Sequence, residues 1–377
     1  MTVDTAPTGG PVAWRDRRKP LWPLALLVPA LPFAGLALWR STGGAWAWWL
    51  TPVVVFGLIP VIDLLIGEDR RNPPEEAVPR LAADGYYRWL TYLYLPAQYA
   101  ALVVCCAVWT RDNLSVIGAA GLVATVGVVD GIAINTAHEL GHKRERVERW
   151  LSKVALAPAA YGHFHVEHNR GHHVRVATPE DPASSRLGES IWAFWPRTVL
   201  GSLRSAWRLE ASRFRLRGRT PWTYRNDVLN AWAMTVALYA ALAVLFGPAV
   251  LPFLALQAVV GSSLLEVVNY LEHYGLARQR TATGRYEKVD ARHSWNSDRT
   301  VTNVFLFQLQ RHSDHHANPL RRYQTLRSCD TSPQLPAGYA TMVVVALLPP
   351  LWRRVMDHRV LAHYGGDRAL ANTGPRP

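Results

Sequence analysis

Cysteine is scarce in this chain, with three in 377 residues. Cys105 and Cys106 are adjacent inside an apolar block and Cys329 stands alone, so there is no CxxC pair. That pattern excludes a zinc ribbon or an iron–sulfur site and leaves no disulfide framework to expect. No flavin or nicotinamide motif, internal repeat or low-complexity tract occurs, and the first apolar stretch lacks a convincing cleavage site, so it reads as a retained span. Histidine is absent from the first 137 residues. Whatever chemistry histidine performs here belongs to the remainder of the chain.

Apolar residues are abundant and blocked. They make up 49% of the chain, and six segments reach the roughly 20 residues that a bilayer crossing requires. They run over about 21–39, 46–66, 90–109, 116–136, 231–246 and 249–270. Trp22, Trp46, Trp48, Trp49 and Trp109 sit at block edges, as interfacial anchors do. A polar link at Ser41–Gly44 closes the first pair, and the charged, proline-rich stretch GEDRRNPPEE separates the second span from the third. The net charge of +13 is read as loop charge of a membrane protein, with no nucleic-acid partner.

Basic residues set the orientation. Arg15, Arg17, Arg18, Lys19, Arg70, Arg71, Arg80 and Arg88 and the region 137–230 fall on one side, against Arg40 and Arg111 in the short links opposite. The positive-inside rule predicts that both termini are cytoplasmic. A last apolar stretch, 336–352, precedes Arg353 and Arg354 and is expected to be interfacial or re-entrant. The expected architecture is therefore an all-α integral membrane protein with six transmembrane helices and a cytosolic histidine-rich region. Its parts are a cytosolic tail (1–20), spans one to four (21–136), a cytosolic region (137–230), spans five and six (231–270) and a cytosolic end (271–377), with a disordered-looking tail at each terminus.

The fourteen histidines are clustered. His138 and His142 lie at the cytosolic end of the fourth span. His168, His172 and His173 follow in the loop region, His273 just beyond the sixth span, and His312, His315 and His316 in a last group. Residues three or four apart share a helix face, so His138/His142, His168/His172 and His312/His315 can each present two imidazoles together. Adjacent pairs diverge by about 100° on a helix and suit two neighbouring metals. Nine imidazoles are too many for one four-coordinate ion, and imidazole alone does not choose among iron, copper, zinc and nickel. His163, His165, His293, His358 and His363 are expected to be ordinary histidines, with His163 and His165 near enough to support the second cluster. The HELGH segment matches the zinc-protease HExxH pattern, but such a site leaves the other clusters unused.

The words HELGHK at 138–143, EHNRGHHVRVATPEDPAS at 167–184, NYLEHYGL at 269–276 and LQRHSDHHANP at 309–319 resemble the bacterial alkane 1-monooxygenase family, within the histidine-box membrane desaturase and hydroxylase superfamily. The resemblance implies a non-haem diiron centre held by His138, His142, His168, His172, His173, His273, His312, His315 and His316. Glu139, Glu167, Asp181, Glu272 and Asp314 are the expected carboxylate partners of the ligating imidazoles. The implied reaction is terminal hydroxylation of an alkane with O₂, because a strong C–H bond gives acids and bases nothing to grip. The implied electron source is rubredoxin with its NAD(P)H-dependent reductase, as separate proteins, and the implied location is the bacterial inner membrane. Arg213, Arg215, Arg217 and Arg219 are candidates to steer an acidic donor, and Gly57 in the second span is a candidate to leave room for the substrate. The competing expectations are a fatty-acyl desaturase or hydroxylase, a zinc intramembrane protease, and a metal transporter using Asp63 and Asp130.

Overall fold

The computed structural model describes residues 14–374; most of the N-terminal tail and the last three residues lie outside that range. Among the described residues the regular structure is helical, with only isolated β-bridges. Six helices are long and apolar enough to cross a membrane: α1 (Lys19–Thr42), α2 (Ala45–Ile66), α3 (Gly85–Arg111), α4 (Val116–Gly141), then α7 (Asp227–Phe246) and α8 (Pro248–His273). The chain is a multi-pass membrane protein. Between α4 and α7 lie α5 (Arg146–Leu156) and α6 (Ile191–Arg215), and the short helical run 164–175 stands between those two.

Local signals set several ends. Asp84 accepts from Tyr86 N at the start of α3, Ser115 from Gly118 N at α4 and Asn226 from Val228 N at α7, each satisfying an orphan N–H. Gly43, at φ +67°, ends α1. The helices overrun the apolar blocks on the histidine side. Helix α4 continues to Gly141 and α8 to His273, so His138 is intrahelical and His273 is the last helical residue rather than one just beyond it. Hydropathy ends where polar side chains begin; a helix continues while those side chains find partners inside the protein.

Helix α4 is the most buried of the six. A Cβ at Gly127 would lie 2.4 Å from Val260, and one at Gly261 would lie 3.1 Å from the Gly127 carbonyl. The small residues Gly127, Gly131 and Gly261 thus let α4 and α8 approach backbone to backbone, as small residues do in membranes. That contact brings the histidine-bearing ends of the two helices together. Outward-facing residues such as Leu58, Leu65, Val116, Val236 and Val244 remain exposed, in keeping with a lipid-facing surface.

Helix α2 contains a π turn at Val54–Leu58, just before Pro60, whose missing N–H cannot close the regular ladder. The stretch 336–352 holds no single helix long enough to span a bilayer. It forms α9 (Tyr339–Ala346) and the start of α10 (Pro349–His363). The inner face of α9, with Tyr339, Met342 and Val343, packs into one core with Tyr270, Tyr274 and Trp352. Asp63 accepts from Val301 N, Thr302 N and the Thr302 hydroxyl, so it caps a helical turn. Asp130 accepts from Gln98 Nε2 at 2.8 Å, which ties α4 to α3.

Candidate metal centre

All nine clustered histidines converge, in two groups. Ligand nitrogens of His138, His142, His168, His173 and His315 lie within 4.8 Å of one another, and so do those of His172, His273, His312 and His316. In the first group the Nε2 atoms of His138 and His315 are 2.8 Å apart, and His173 Nε2 is 3.1 Å from both His168 and His315 Nε2. In the second, His316 Nε2 is 2.9 Å from His312 Nε2 and 3.3 Å from His172 Nε2. The groups adjoin: the rings of His173 and His316 stack with centroids 4.3 Å apart.

These separations fit metal ligands. Nitrogens about 2.0–2.1 Å from one ion and at right angles to each other are about 3 Å apart. Burial, reinforced by the neighbouring histidines, holds His142, His168, His173, His312, His315 and His316 well below the usual imidazole range. Neutral imidazoles offer ring nitrogens converging to about 3 Å, an arrangement that suits a cation held among them. The buried His142 and His273 Nε2 atoms have no hydrogen-bond partner. Five and four nitrogens make two sites.

The pairing in the second cluster departs from helical spacing: His168 shares a group with His173, five residues on, while His172 serves the other group. In the last cluster His312 pairs with His316, four residues on, rather than with His315, which serves the opposite group. The cause in the second cluster is a π turn at His168–His172: its i→i+5 closure returns residue 173, not 172, to the side of His168. Gly171 lies within the turn, where a Cβ would lie 2.5 Å from Glu167 Oε2. The adjacent pairs His172–His173 and His315–His316 split between the two groups, as their divergence on a helix implies.

The carboxylates divide. Asp181 Oδ2 lies 2.9 Å from His172 Nδ1 and accepts from Ser184 Oγ at 2.6 Å, which leaves His172 Nε2 to face the other nitrogens of its group. Burial pushes the Asp181 carboxyl up, but the His172 and Ser184 contacts outweigh it and hold the group below its ordinary value. Glu272 Oε2 is 3.2 Å from His312 Nε2, so it meets the inward nitrogen instead of an outer N–H. Glu139, Glu167 and Asp314 touch no ligand imidazole: they pair with Lys143 at 3.0 Å, Arg175 at 2.7 Å and Arg321 at 2.8 Å. A cation within reach outcompetes a neutral N–H for a buried carboxylate. Ser294, 3.4 Å from His273 Nδ1, carried no sequence signal. His163 and His165 belong to neither nitrogen group; His165 Nδ1 meets Ser152 Oγ at 3.2 Å.

A cavity runs to this centre. Its walls include Val55, Phe56 and Ile59 of α2, Ile132 of α4, Leu264 and Val268 of α8, and Val343 of α9, and it reaches His138 and His168 of one group and His312 of the other. Gly57 is not part of the lining; it points to open space. No Lys, Arg or Asp lines the cavity.

Residues 115–346 match the model of the fatty acid desaturase family. Over 366 residues the chain is 47% identical to alkane 1-monooxygenase of Ectopseudomonas oleovorans, covering 97% of this chain and 90% of that protein. It is 47% identical to alkane 1-monooxygenase 1 of Alcanivorax borkumensis (93% and 87% covered) and 45% identical to alkane 1-monooxygenase of Acinetobacter baylyi (96% and 89% covered). The chain belongs to the alkane 1-monooxygenase family. For this family member, the zinc-protease reading of HELGH fails on geometry as well, since Glu139 is bound to Lys143 and to Tyr323 N and is not free to act as a base.

Proposed function

We propose that this chain hydroxylates the terminal carbon of alkanes at a diiron centre held by the nine histidines, five on one iron and four on the other. The observation that carries the reading is the apolar cavity ending on histidines of both groups. The overall balance is RH + O₂ + 2 e⁻ + 2 H⁺ → ROH + H₂O. Two irons bound there would supply the O₂ activation that cleavage of an unactivated C–H bond needs.

The residues of the chain do the rest. The apolar walls hold the hydrocarbon by burial and keep water from the reacting end. The cavity's amides are already engaged: Asn135 Nδ2 donates to the Leu306 carbonyl at 2.6 Å and Asn269 Nδ2 to Glu266 at 3.2 Å. With those groups engaged and no cation in the lining, nothing is positioned to recognise a charged headgroup, which favours an alkane over a fatty-acyl substrate. Asp181 fixes the tautomer of His172. The carboxylates Asp63 and Asp130 are engaged within the fold, one as a cap and one with Gln98, and form no ion path, against a transporter.

In this reading the histidine end faces the cytoplasm of a bacterial inner-membrane protein, with both termini on that side, and the electrons come from a separate rubredoxin and its reductase. The test is to feed alkanes of graded length to cells co-expressing the chain with those two proteins and to analyse products by gas chromatography. Primary alcohols that disappear with His312→Ala are expected. New double bonds or hydroxyls in membrane lipids, with no alcohol, would replace the reading with an acyl-lipid enzyme.

A further inference from the structure

Helix α6 belongs to the stretch 137–230 that hydropathy places outside the bilayer, yet it is fastened to the inside of a membrane span. Trp195 Nε1 donates to Ser263 Oγ of α8 at 2.9 Å, and the Thr198 hydroxyl donates to Glu266 at 2.8 Å. Helix α8 has 26 residues, about 39 Å of helix, against a hydrocarbon core of about 30 Å. Its histidine end therefore protrudes by no more than about 9 Å, while Ser263 lies about 15 Å back from His273. Trp195 reaches below the headgroups.

The exposed residues of α6 are sorted around its axis. At about 100° per residue, Trp192, Pro196 and Leu200 fall on one arc, beside Trp195, and Arg204, Arg208 and Arg215 on the arc beyond it. Trp192 is 62% exposed and Leu200 50%, and the three arginines are exposed. The loop from α6 to α7 repeats the mixture, with exposed Leu216, Trp222 and Tyr224 interleaved with exposed Arg217 and Arg219. Because Asp227 begins a membrane span, this loop sits at headgroup depth. Among the described residues, Arg204, Arg208, Arg215, Arg217 and Arg219 make no ion pair or side-chain hydrogen bond. Glu210, the sole acidic residue between 191 and 226, is taken by Arg170 at 2.5 Å and Arg213 at 2.6 Å.

We propose that α6 lies in the histidine-side surface of the bilayer with its apolar arc among the acyl chains, and that Arg204, Arg208, Arg215, Arg217 and Arg219 bind the phosphates of acidic phospholipids. Unpaired guanidiniums beside exposed Trp and Leu, at the depth where a span begins, face headgroups, and their charge selects anionic ones. Guanidinium also matches phosphate in geometry. Trp222 and Tyr224 anchor the loop at the same level, as amphipathic aromatics do. None of the five arginines lines the apolar cavity, so the surface is independent of what the enzyme oxidises.

Two measurements on the metal-loaded protein in bilayers test the placement and the ligand. Nitroxide labels on Leu200→Cys and Arg208→Cys, each with Cys329→Ser, report depth: the label at 200 is expected to relax with O₂ and that at 208 with a water-soluble nickel chelate. Equal access of the chelate to both positions would overturn the placement. Spin-labelled phosphatidylglycerol is expected to be held at the protein about fivefold or more over spin-labelled phosphatidylcholine at low salt, less so as salt screens the charges. The variant R204Q/R208Q/R215Q/R217Q/R219Q is expected to lose most of that preference, with metal content and melting temperature as folding controls. An unchanged preference in the folded variant would overturn the proposal and leave the surface to an acidic soluble protein.

Discussion

Of five carboxylates near the histidines, only Asp181 meets the outer nitrogen of a ligand ring, so Asp181→Ala should weaken metal binding where Glu139→Ala and Asp314→Ala do not do so through ligand orientation. The side chain is buried and makes contacts at 2.9 Å to His172 Nδ1 and 2.6 Å to Ser184 Oγ. Removing it frees His172 to rotate and to choose either tautomer. Loss of such a partner typically costs about 10–100-fold in metal affinity, or roughly 1.4–2.7 kcal/mol. The loss should fall on the four-histidine group, because His172 belongs to it. Metal per protein by mass spectrometry, during titration with a competing chelator, should show one site weakened and the other retained. Asp181→Asn, which keeps an acceptor oxygen but removes the charge, should fall between the parent and the alanine variant. Two equally tight sites in Asp181→Ala would refute the assignment of Asp181 as the residue that orients His172.

Other outcomes can be checked alongside. Burial holds His163 at about 4 and His165 at about 3, below the ordinary imidazole value near 6.5, so the unfolded chain takes up protons first as pH falls. Each should then cost about 2 kcal/mol of stability between pH 6.5 and 5; thermal melts across that range should flatten in His163→Gln or His165→Gln, and equal slopes would contradict the burial argument. Gly127→Ala puts a Cβ 2.4 Å from Val260 and should destabilise by about 1–3 kcal/mol, read as a lower melting temperature. Ile132→Trp adds bulk to the cavity wall and should shift alcohol production toward shorter alkanes; an unchanged length range would mean the chain lies elsewhere.

Much of this protein was legible in order along the chain. Six apolar blocks of bilayer length become six helices, because lipid leaves a crossing segment almost no alternative to an internally bonded backbone. The convergence of nine histidines was legible from their clustering, and their division between two groups from the divergence of adjacent pairs such as His315 and His316. Helical spacing could not assign His168 and His173 to one group, since a single π turn resets the face each ring occupies. Nor could proximity in sequence tell Asp181 from Glu139, Glu167 and Asp314, because a carboxylate binds whichever donor folding brings nearest, and in three cases that donor is a lysine or arginine. The cavity walls and the displacement of Gly57 from them depend on side-chain direction and competing partners. Those are properties of packed helices in three dimensions, and only the tertiary structure decided them.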